Sequence, residues 1–64
     1  MEAEVGDRII IRSRSVGGKN REGTVVAVEG EGGGPPYRVR WDGTEDDHLI
    51  YPGSDARIYH EAVR

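Results

Sequence analysis

Nine residues constrain this 64-residue chain more than any others: Pro35-Pro36-Tyr37-Arg38-Val39-Arg40-Trp41-Asp42-Gly43. The proline pair removes two backbone donors and cannot enter a helix. Beyond it, Tyr37, Val39 and Trp41 alternate strictly with Arg38 and Arg40, the period-two pattern of a strand with one apolar and one cationic face. Asp42-Gly43 then turns the chain. The stretch holds the only Trp and one of three Tyr in a chain without Phe, so most of the aromatic area a core can use lies on one strand.

The rest of the chain must complete a fold around that strand with little material. At this length there is room for one domain spanning residues 1–64 and for one small core. Apolar residues are 34% and charged residues 33%, but the apolar ones are grouped in short β-branched runs, which argues for a small globule over a disordered segment. The absence of cysteine excludes disulfide staples, thiolate nucleophiles and Cys-ligated zinc. No apolar run reaches the roughly 18 residues of a membrane span, and the start Met1-Glu2-Ala3-Glu4 is acidic where a signal peptide is basic. A soluble, cytoplasmic protein is the expectation.

In chain order, Val5-Gly6-Asp7 supplies a turn and Asp7 to Arg12 a first strand, its Ile9-Ile10-Ile11 run unfavourable in a helix. Parity places Val5, Ile9 and Ile11 on one face; Ile10 shares the other with Arg8 and Arg12 and is expected to be partly covered. Residues 13–20 read as a loop. The apolar run from Thr24 to Glu29 reads as a strand whose register the pattern leaves open, and the four glycines of Gly30-Glu31-Gly32-Gly33-Gly34 predict a mobile hairpin connection. A phosphate-binding role for that loop is disfavoured, because neither a GxGxxG nor a GxxxxGK[ST] spacing is present and no helix follows it. Asp47 to Tyr51 gives a fourth strand with Leu49 and Tyr51 on one face, and Pro52-Gly53-Ser54-Asp55 a compact turn. The tail from Ala56 fits either a strand at 56–60 or a short helical or 3₁₀ segment; a fifth strand is preferred. Short strands joined by turns describe an all-β protein, a small antiparallel barrel or strongly curled sheet.

Val5-Gly6-Asp7-Arg8, Arg21-Glu22-Gly23-Thr24-Val25, Pro35 to Gly43 and Tyr51-Pro52-Gly53-Ser54-Asp55-Ala56 together resemble a family of small actinobacterial proteins known only as a domain of unknown function. The likeness spans nearly the whole chain. It implies an SH3-like barrel of about five strands, in some members with a C-terminal helix, and implies no biochemical activity. More loosely, the Gly-Asp opening followed by Gly-Thr-Val is similar to KOW-type barrels of transcription and ribosomal proteins, and Tyr-x-Val-x-Trp-Asp-Gly is similar to Tudor-like barrels. The chain departs from the Tudor pattern in lacking an aromatic cage: of Tyr37, Trp41, Tyr51 and Tyr59, the core is expected to claim the first three.

Charge is unevenly placed. Residues 8–21 carry +5, residues 1–7 carry −3 and residues 22–64 carry −5, for a net −3. Arg12, Arg14, Lys19 and Arg21, with Arg38 and Arg40 on an adjoining outer face, form a candidate patch for phosphates or an acidic partner; pairing of these groups with surface acids is the competing reading. Tyr51 and Tyr59 are the candidates for an exposed aromatic groove. Glu45, Asp46, Asp47 and His48 read as a solvated acidic turn rather than a metal site, since no second His stands at ligand spacing. Neither Ser13 nor Ser15 shows a positioned base. No cofactor and no catalysis are expected. Two functional classes remain, with a protein-interaction module ahead of a nucleic-acid or polyanion binder working through the basic loop. As to assembly, a monomer or a weak homodimer joined through an open sheet edge is expected.

Overall fold

The computed structural model describes residues 2–13 and 16–60. Five antiparallel strands form one sheet: β1 (Arg8–Ile11), β2 (Arg21–Val28), β3 (Tyr37–Trp41), β4 (Asp47–Ile50) and β5 (Ala56–Tyr59). Their spatial order is β4-β3-β2-β1-β5. The first four strands pair in sequence order, and β5 returns to lie beside β1. The expected all-β architecture is thus present. Residues 56–59, which fitted two patterns, form a strand, and the rest of the tail, 61–64, lies outside the described residues.

Side-chain alternation places the core on one face. Ile9, Val25, Tyr37 and Val39 are fully buried, Ala3, Trp41 and Ala56 nearly so, and Ile11, Val28, Ile50 and Ile58 pack around them. On β3 the buried-exposed alternation is unbroken from Tyr37 to Trp41. Elsewhere turns and irregularities reset the parity. The Val5-Gly6 turn, with Gly6 at φ +99°, leaves Val5 exposed and gives its expected core place to Ala3. The register of β2 against β3 shifts between Val25 and Ala27, which is why both Val25 and Val28 reach the core side although three residues separate them. On β4 it is Ile50 that turns inward. Tyr51, expected in the core, is 75% exposed.

Strand β2 begins at Arg21, three residues before the apolar run that predicts it, and so takes in Gly23. There is a steric reason for that glycine. Gly23 stands directly opposite Trp41, and the Asp42 N–H donates to the Glu22 carbonyl, so alternation of pair types makes Gly23 and Trp41 a close, non-hydrogen-bonded pair. A Cβ on residue 23 would lie 2.7 Å from the Arg40 carbonyl oxygen and from Val39 Cγ1, and 2.9 Å from the Trp41 ring. The indole occupies the volume that a side chain would take.

The glycine loop, read as mobile, is instead tied down. It forms a 3₁₀ turn at Glu31–Gly33, the only helical segment among the described residues, and it lies between β2 and β3 rather than at the C-terminus. The Gly33 carbonyl accepts from the Ala3 N–H at 2.8 Å and from the Tyr37 hydroxyl at 2.7 Å. Tyr37 therefore fills the core with its ring and anchors the loop four residues before it with its oxygen, a second duty that the alternation pattern does not signal.

Candidate functional site

The outer face of the sheet carries three ion-pair groups. Arg8 projects from β1 between its neighbours and makes a two-point contact with Asp42, 2.9 and 2.6 Å, while also donating to Thr24 Oγ1 at 2.9 Å and reaching Glu22 at 3.4 Å. Fork-to-carboxylate geometry of this kind combines charge with direction. It raises the Arg8 guanidinium above its ordinary range and, with the Arg8 hydrogen bond as the main cause, holds the Asp42 carboxyl below its own. Arg40 binds Asp47 across the β3/β4 pair through two contacts, 2.7 and 3.2 Å, and lowers the Asp47 carboxyl in the same way. Arg38 lies 3.5 Å from Glu29.

Within the basic patch drawn from the sequence, this arrangement pairs two of the cations with acids. Of its six cations, Arg38 and Arg40 are engaged by carboxylates, and Arg21 is stacked on the Trp41 ring with its guanidinium carbon 4.3 Å from the centroid. Arg21 thus lids the indole at the start of β2, a cation–π contact that uses the flat face of the group. Arg12 and Lys19 are exposed, and among the described residues neither has a carboxylate within ion-pair distance. Arg14 falls outside the described residues. The sequence missed Arg8 as the organising cation; the signal was there in the Gly-Asp-Arg and Trp-Asp-Gly turns, whose Arg8 and Asp42 are partners.

The two tyrosines set aside for a groove are exposed but separate. Tyr51 follows edge strand β4, while Tyr59 stands at the far end of β5, opposite Arg8, and is 50% exposed. Tyr59, Ile10, Arg8 and Glu22 line a shallow groove of about 250 Å³ on the outer face. Ile10, half-buried as expected from its neighbours, forms its apolar floor. Leu49, opposite Arg38 on β4, is a further exposed apolar side chain on this face.

A second feature is structural. Asp7, buried in the turn before β1, accepts the Glu4 N–H at 2.9 Å and lies 2.7 Å from His60 Nδ1. It fastens the end of β5 to the first turn. Their separation of 53 positions in sequence leaves no local trace. Among the described residues, no three His, Asp or Glu side chains come together to hold a metal ion, and the Asp47 of the acidic turn is committed to Arg40. Among the described residues, no helix is long and apolar enough to cross a membrane.

Comparison with known proteins agrees with the unknown-function likeness. A family model described as a domain of unknown function (DUF1918) matches residues 1–58. An uncharacterized protein of Mycobacterium tuberculosis strain H37Rv, Rv0569, is 36% identical over 58 residues, a segment that is 91% of this chain and 66% of the relative. A second from that strain, Rv2302, is 34% identical over 58 residues, 91% of this chain and 72% of the relative. The chain therefore spans about two thirds of the length of the first. No solved structure matches significantly.

Proposed function

The chain belongs to the DUF1918 family, and from that premise we propose that it is a non-catalytic interaction module, an SH3-like β scaffold whose outer face meets a protein partner in the cytoplasm. The observation that carries this reading is that Arg38 and Arg40 of the expected cationic patch are already paired with carboxylates. Binding a phosphate backbone draws its affinity from cations that release counterions, and here Arg38 and Arg40 already hold carboxylates while Arg21 covers the indole. What faces outward is an alternation of paired charges around Ile10, Tyr59 and Leu49. Aromatic and aliphatic groups framed by ion pairs suit a modest polar protein contact. The five-strand order, with β5 returning to β1, supports the SH3-like description.

The basic loop gives the competing reading its own site, in Arg12 and Lys19. Photo-crosslinking from two positions separates the two classes. A crosslinker at Tyr59 is expected to yield a protein adduct in lysate of the producing cells, unaffected by nuclease and suppressed by excess wild type but not by an Ile10→Asp competitor. A nuclease-sensitive, salt-sensitive adduct from position 19, with none from position 59, overturns the protein-partner reading in favour of the polyanion one.

A further inference from the structure

One backbone bond fixes which groups of β5 face outward. The Arg12 N–H donates to the Asp55 carbonyl at 2.9 Å, making residues 12 and 55 a hydrogen-bonded pair at the end of the β1/β5 ladder. Pair types alternate along an antiparallel ladder, so Ile10/Arg57 and Arg8/Tyr59 are of the same type. The backbone groups of Arg57 and Tyr59 therefore point at β1, and those of Ala56 and Ile58 point at the sheet edge. The Ala56 N–H turns onto the Gly53 carbonyl at 3.1 Å. Among the described residues, the N–H and carbonyl of Ile58 and the carbonyl of Ala56 have no backbone partner, on a strand that carries neither proline nor a bulge.

Such an edge is a template for another strand, and its side chains specify which one. When β5 is laid antiparallel to the β5 of a second copy about a twofold axis through Ile58, the two Ile58 residues exchange both backbone bonds. The His60 N–H of each copy meets the Ala56 carbonyl of the other. On the outer face, Arg57 of each copy falls directly opposite Tyr59 of the other. Arg57 is exposed and, among the described residues, has no carboxylate within ion-pair distance, and Tyr59 presents half its surface. Each copy supplies the cation for the other's ring, the reciprocity a twofold interface demands. The His60 imidazole is turned onto Asp7 of its own copy. The opposite edge offers no reciprocal cation–ring pair: in a self-pairing of β4, Asp47 faces Leu49 when the axis is His48 and Tyr51 when the axis is Leu49, and an axis at Ile50 sets Leu49 against Tyr51 with no cation.

We infer that this chain forms a weak twofold dimer through its β5 edges, joining two sheets into one and setting the two Tyr59 grooves side by side. A contact of one short strand per copy is small, so association is expected with a Kd on the order of 10⁻⁴ M. Sedimentation equilibrium from about 10 µM to 1 mM should show a monomer–dimer equilibrium. Arg57→Glu, at an exposed position, should keep the far-UV spectrum and weaken association by roughly tenfold through loss of both cation–π pairs. Because the chain lacks cysteine, register can be read directly. A mixture of Arg57→Cys and Tyr59→Cys proteins should form mixed disulfides in excess over either protein alone, since directly opposite Cα atoms lie within bridging distance and the like pairs are offset diagonally. A wild type that stays monomeric at the highest concentration, a dimer indifferent to Arg57→Glu, or crosslinking without preference for the mixed pair overturns the proposal.

Discussion

Gly23→Ala isolates the contact between the indole and β2. The glycine has no positive φ, since it is absent from the positions that do, so alanine can adopt its backbone and the mutation tests space alone. Two effects oppose each other. Restricting the unfolded chain favours alanine by about 0.4–1 kcal/mol. Against this, the new methyl meets the Arg40 carbonyl oxygen and Val39 Cγ1 at 2.7 Å and the Trp41 ring at 2.9 Å. One of those neighbours is backbone of the paired strand and another belongs to a residue only 4% exposed, so neither yields by a simple side-chain rotation. Overpacking of this kind costs about 1–3 kcal/mol, and a fixed carbonyl places it toward the upper end. The net loss is then about 2 kcal/mol, a large share of the roughly 3–10 kcal/mol available to a domain of this size. A loss of that size lowers Tm by roughly 8–16 °C. Urea and thermal unfolding, followed by far-UV dichroism and by the emission of the single Trp, measure it directly. If Gly23→Ala unfolds at or above the wild-type midpoint, the indole does not occupy the space over residue 23, and the account of why β2 tolerates a glycine there fails.

Three further outcomes follow from the polar contacts. Tyr37→Phe should cost about 1 kcal/mol, the net worth of one hydrogen bond, because the Gly33 carbonyl keeps the Ala3 N–H; in the wild type, spectrophotometric titration should find this tyrosine ionising above the ordinary range, owing first to burial and then to the Glu2 charge. Acid stability is set partly by Asp42 and Asp47, whose folded-state carboxyls lie below their unfolded values. Their stabilisation is complete above the unfolded value near 4 and is lost as pH falls through the folded one; urea midpoints should drop below about pH 4 in wild type, and drop less steeply in Asp42→Asn, with equal slopes refuting the Arg8 pairing.

The local pattern of Tyr37 to Trp41 is enough to make β3 a strand with its rings inward, because alternation is a property of the backbone itself. The β-branched runs at Ile9 to Ile11 and Thr24 to Val28 likewise declare strands, and the turn residues between them declare an all-β chain. Parity fails where a turn or a bulge intervenes. Alternation carried through the Gly6 turn and to the end of an edge strand points Val5 and Tyr51 inward, whereas three-dimensional pairing puts Ala3 and Ile50 there. Local sequence also groups charges by proximity along the chain, and so it drew Arg12, Arg14, Lys19, Arg21, Arg38 and Arg40 into one patch. Folding sorts them by register instead: position 40 falls opposite 47, position 8 comes within reach of 42, and position 21 reaches over the indole. Whether seven positions apart, as for 40 and 47, or 34, as for 8 and 42, those partners meet only through strand pairing, which also ties His60 to Asp7 and, among the described residues, leaves the edge of β5 without a neighbouring strand.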